Sequence, residues 1–205
     1  MRPIALVCAL LFLTLPAVAG DYTGSDGGYL VYSAGGIESG AMITLHFKRV
    51  ATPDGTSVSD KQGAIGCRCV GVWSGKMSNP DYEGHETGKV FVRRLPPGRY
   101  EIYNYLFSGS GPGAVETSSK NKFAIPFEIR PGDATYIGNI AWGHSLGTRL
   151  EKTHGFTGYF VISDKSDRDL PIARRKQPNL PETRNEVFDV STLDHPMFFA
   201  TEPDL

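Results

Sequence analysis

The chain has 205 residues, 21 basic and 22 acidic side chains, and a formal charge of −1 at pH 7. That balance removes the electrostatic case for a nucleic-acid or anionic-membrane partner. With 24 glycines, 9 tyrosines and 11 phenylalanines between frequent turn signals, the composition favours β structure over a helical bundle. In chain order, the first element is not part of the fold. Arg2 is followed by an apolar run over 4–15, too short to span a bilayer, and then by Ala17-Val18-Ala19, a small-x-small cleavage pattern. Residues 1–19 therefore read as a signal peptide. The expectation is an exported protein, periplasmic or extracellular, with no integral membrane segment after cleavage. Without Arg2 the remaining charge is about −2.

Eight β-prone segments follow, over 28–33, 41–50, 64–73, 89–94, 99–107, 122–130, 134–142 and 156–162. In the second, Ile43, Leu45 and Phe47 alternate with Thr44, His46 and Lys48. In the sixth, Phe123, Ile125, Phe127 and Ile129 share a face, and Pro126 predicts an edge strand or a bulge because it cannot donate to a ladder. Leu95-Pro96-Pro97-Gly98 and Arg130-Pro131-Gly132-Asp133 predict tight hairpin turns. No connection before Gly143 carries a helical pattern, so the predicted fold is mainly β: a seven- to eight-stranded antiparallel sandwich over residues 20–163. Two long polar connections, 74–88 and 108–121, interrupt it, and long loops at one end of a sandwich are common binding sites.

The texture then changes. Residues 164–178 predict one short helix, with Ser163 or Asp164 as N-cap, acidic residues early, Arg174, Arg175 and Lys176 late, and Pro178 as the stop. Residues 179–205 predict an extended or partly disordered tail with an apolar cluster at Met197-Phe198-Phe199.

The stretch Phe91 to Tyr105, "FVRRLPPGRYEIYNY", resembles the strand–turn–strand signature of transthyretin-like (prealbumin-like) sandwiches, as in carboxypeptidase regulatory-like domains. Several exported bacterial families share it. The matching residues are 90–94, the Leu95–Gly98 turn, Tyr100 and Ile102, and "FEIRPGDATYIGNI" resembles the hairpin that often follows. The resemblance spans about a third of the chain. It implies an accessory, adhesive or binding module and carries over no catalytic residue.

Gly143-His144-Ser145-Leu146-Gly147 matches the G-x-S-x-G nucleophile elbow of α/β-hydrolases. Ser145, Asp169 and His195 follow the chain order nucleophile, acid, base. Against that reading, 148–153 is a short helix for an elbow, the preceding chain lacks βαβ alternation, and no HGGG-like stretch supplies an oxyanion hole. A glycine-rich loop between two strands is the plainer account. Cys67 and Cys69 share a strand face with Ile65 and Trp73. Three readings stay open for them: buried small hydrophobes, a strained redox-active CxC disulfide, or a soft-metal site with His46 or His85. His85 lies among Asp81, Glu83 and Glu86, but no recognised metal-ligand spacing is present, and no cofactor or metal is expected. By alternation, Tyr103, Tyr105 and Phe107 form one face of the fifth strand and Tyr100, Ile102 and Leu106 the other. If the second set faces the core, the first is an outward aromatic stripe, either open to a protein or glycan partner or covered by the carboxy-terminal helix or tail. The leading expectation is thus an exported, non-enzymatic binding or envelope-accessory module, with a serine esterase and a CxC redox or metal protein as rivals.

Overall fold

The computed structural model describes residues 21–37, 42–66, 77–108, 116–119, 121–144 and 158–202. The strands are β1 (Gly28–Ile37), β2 (Met42–Ala51), β3 (Ser57–Gly66), β4 (Glu86–Leu95), β5 (Gly98–Ser108), β6 (Glu116–Ser118), β7 (Ile125–Ile129), β8 (Ala134–His144), β9 (Gly158–Ser163), β10 (Thr183–Asn185) and β11 (Phe198–Phe199), with one helix, α1 (Ser166–Lys176), after β9. They form two sheets. Sheet A runs β11-β9-β8-β1-β4, with β10 also on β8; sheet B runs β3-β2-β5-β6, with β7 also on β5. The chain is a mainly-β sandwich with a single α-helix among the described residues, as its turn spacing and alternation predict. No helix among them is long and apolar enough to cross a membrane.

Three details of that expectation change. Sheet A is mixed, because β8 runs parallel to β1, β10 parallel to β8, and β11 parallel to β9. The two proline turns are arches between sheets rather than hairpins. Leu95–Gly98 carries the chain from β4 in sheet A to β5 in sheet B, and Arg130–Asp133 carries it from β7 in sheet B to β8 in sheet A. Pro96 and Pro97 have no N–H to close a hairpin. Tyr100 instead donates from its hydroxyl to the Pro96 carbonyl at 2.6 Å. Gly98 has φ 148°, and a Cβ there would lie 2.3 Å from the Ala51 carbonyl oxygen. Of the predicted 64–73 strand, residues 64–66 form the end of β3, which begins at Ser57, and residues 67–76 lie outside the described set. β3 is an edge strand that pairs only with β2, so its polar first half needs no apolar signature.

Two bulges decide which residues share a face. In β8, Gly138 adopts φ 105°, and Tyr136 pairs with Val31 while Asn139 pairs with Ser33. Ile137 and Gly138 together oppose Tyr32, so Tyr136 and Asn139, three apart, fall on the same outer face. In β5, His46 pairs with Asn104 but Phe47 with Ile102, leaving Tyr103 as the extra residue. Ile102 and Tyr105 consequently both enter the core.

The core between the sheets takes Leu30, Tyr32, Leu45, Phe47, Tyr105 and Phe160, among others. A second, smaller cluster lies on the outer face of sheet A, where Ile172 and Ala173 of α1 cover Val31, Val90, Ala134 and Tyr136. Sheet A is thus covered on both faces, as the near-continuous burial of β1 records. Its β4 edge is also closed. Gly88 exchanges backbone bonds with Tyr82, the Val90 N–H donates to Asp81, and the Val90 carbonyl accepts from Lys176 Nζ at 2.7 Å. Such capping protects an edge from pairing with another chain.

α1 (Ser166–Lys176) begins two residues later than the predicted 164–178 helix and ends two residues earlier. The Asp164 carboxylate accepts the Ser166 N–H at 2.8 Å from just ahead of the capping position. Asp167 and Asp169 lie in the first turn and Arg174, Arg175 and Lys176 in the last, the order that suits the helix dipole. The tail then runs as a strap. β10 lies along β8, and Met197 and Phe198 are buried where β11 meets β9.

Candidate functional site

The register gathers the connections of both sheets. Ile37 pairs with Glu86, Gly36 with Trp142 and His144 with Gly158 in sheet A; Met42 pairs with Ser108 and Thr44 with Gly66 in sheet B. Residues 38–41 join β1 directly to β2, which puts these strand ends of both sheets at one end of the sandwich. The chain therefore leaves for 38–41, 67–76, 109–115 and 145–157 at that single end, and returns there from 38–41, 109–115 and 145–157. Ser145, Cys67 and Cys69 fall within these connections and lie outside the described residues.

His85 is at this end, just before β4. Its Nε2 is 2.5 Å from Glu202 Oε2, and Glu202 Oε1 accepts the Tyr159 hydroxyl at 3.0 Å. The His85 bond is the main cause that holds the Glu202 carboxyl below its ordinary range. The clasp ties the tail to the turn before β4, and both partners are exposed. Among the described residues no group of three or more His, Cys, Asp or Glu side chains converges as metal ligands. His46 is partly buried on β2, and burial lowers its pKa.

The aromatic stripe divides at the β5 bulge. Tyr103 stays half-buried with Lys48 Nζ 4.8 Å above its ring. Tyr105 is fully buried against Phe123 and Phe160 rather than open to a partner. Phe107 sits on β5 opposite Ile43.

Asp169 and His195 are not brought together. His195, 5% exposed, packs edge-on against Tyr105, Phe123 and Phe198 on the core side, and its Nδ1 accepts the Met197 N–H at 3.3 Å. Asp169 lies on the opposite, outer side of sheet A, where its partners are Ser33, Tyr136 and Arg168.

Asp169 belongs to a buried polar cluster that alternation does not predict. Its Oδ2 accepts from the Ser33 hydroxyl at 2.5 Å and the Tyr136 hydroxyl at 2.7 Å, and its Oδ1 accepts from Arg168 Nε at 2.7 Å. Arg168 Nη2 also donates to Asn139 Oδ1 at 3.0 Å and to Ser33 Oγ at 3.1 Å. Asn139 Nδ2 donates to Glu86 at 2.9 Å, and the Tyr82 hydroxyl donates to Asn139 Oδ1 at 3.1 Å. The Arg168 guanidinium carbon stands 3.6 Å from the Tyr82 ring centroid. Burial raises the phenol pKa of Tyr82, and raises that of Tyr136 with help from the Asp169 bond. For Arg168, burial acts against the charge, but the Asp169 hydrogen bond and the fields of Tyr82, Asp169 and Glu86 outweigh it, so its pKa rises.

Ser33 has no exposed surface and no imidazole among its partners. The arrangement holds a guanidinium; it does not activate a nucleophile. The one sequence signal for it was Gly138-Asn139 inside an otherwise apolar strand, since a glycine in a strand marks a bulge.

No family model and no curated protein matches the chain. Among solved structures, a leucine-rich repeat protein from Bacteroides thetaiotaomicron aligns with 65% of this chain at 10% identity and a TM-score of 0.31. The chain spans 19% of that protein's length. A likeness of that size bears on neither the fold nor the activity of this chain.

Proposed function

We propose that the protein is an exported, non-enzymatic binding module of the transthyretin-like kind, which meets a protein or glycan of the cell envelope with the loop-bearing end of its sandwich. The observation that carries this reading is the register. Strand ends from both sheets bring four connections to one end, while sheet A is covered on its other sides by sheet B, α1 and the strap. Connections gathered at one end of a two-sheet frame are a common architecture for recognition. Support for export comes from the basic-then-apolar start and the Ala17-Val18-Ala19 pattern. Support for the transthyretin-like assignment rests on the residues of β4, the Leu95–Gly98 arch and β5.

The test is hydrogen–deuterium exchange of the chain from Gly20 onward, with and without solubilised envelope glycans and proteins from its host. Protection is expected at the strand ends bracketing 38–41, 109–115 and 145–157. Protection confined to the arches at the far end, or none with any fraction, would overturn the reading.

A further inference from the structure

We draw no further inference here: the strongest candidate, the open groove of sheet B between the β2–β3 turn, β5 and β7, carries nothing, because its Glu101, Glu128 and Glu186 side chains are each paired with a cation of this chain and nothing in the structure shows what covers it.

Discussion

Asp169 shows what a single residue's surroundings demand. Its carboxylate has no exposed surface and accepts from a serine, a tyrosine and an arginine. Asp169→Asn removes the charge opposite Arg168 and turns an NH2 group toward hydroxyls that now donate. Breaking a buried ion pair from one side costs about 3–5 kcal/mol. Because Arg168 is partly exposed, the expected loss is at the low end, about 3 kcal/mol, read by urea denaturation; a loss under roughly 1 kcal/mol would show the network to be dispensable. Gly88 is constrained by space instead. A methyl there would meet the Tyr82 hydroxyl at 2.0 Å and the Ala34 carbonyl oxygen at 2.6 Å. Gly88→Ala should cost about 2–3 kcal/mol. Tyr82→Phe in the same chain should restore little of it, because the backbone carbonyl cannot move aside. At this scale the sequence was least legible. Ser33, Tyr82, Asn139 and Arg168 are each unremarkable in their own segments, and they meet only because four separated elements converge.

Elements were more legible, and the errors have physical causes. Alternation locates the strands well, but it assumes an unbroken period of two. Each bulge adds one residue and shifts every later side chain to the opposite face. That is why Tyr105 lies in the core rather than on an outward stripe, and why Tyr136 and Asn139 share a face. The proline turns were legible as reversals, but turn residues do not say whether the next strand stays in the same sheet. The helix start was placed to within two residues because its chemistry is local. Asp164→Ala should destabilise the chain by about 0.5–1 kcal/mol, the low end for a lost N-terminal cap because the group is largely exposed. Its pH dependence follows from the Ser166 N–H bond, the first of the causes that lower the Asp164 pKa. A carboxyl whose folded pKa is depressed stabilises above its unfolded value, about 3.9, and loses that contribution as pH falls through the lower folded value. The gap between wild type and Asp164→Ala should thus be constant from about pH 5 to 8 and narrow as the pH falls below the unfolded value of about 3.9. A gap that widens on acidification would contradict the assignment.

At the scale of the molecule, the decisive pairing is one that no local signal encodes. β1 lies between β4 and β8, and in the parallel ladder Tyr29 meets Ala134. More than a hundred residues separate those partners, so a costly loop must close before the ladder contributes, and sandwiches of this kind fold in milliseconds to seconds. Once closed, β1 is the most enclosed strand. Leu30 to Ala34 are at most 1% exposed, covered by sheet B on one face and α1 on the other. The strap joins by much less: β10 pairs over three residues and β11 over two, at its end held by the exposed His85–Glu202 clasp. The amides of 31–34 in β1 and 139–141 in β8 should therefore exchange with deuterium only through global unfolding. Their opening free energy should equal the stability from denaturant titration, and the amides of β10 and β11 should open at a small fraction of it. Stopped-flow refolding should show a main phase of about 10 ms or slower. A main phase of microseconds, or a strap as protected as β1, would mean that the long-range β1–β8 ladder is not what closes the fold.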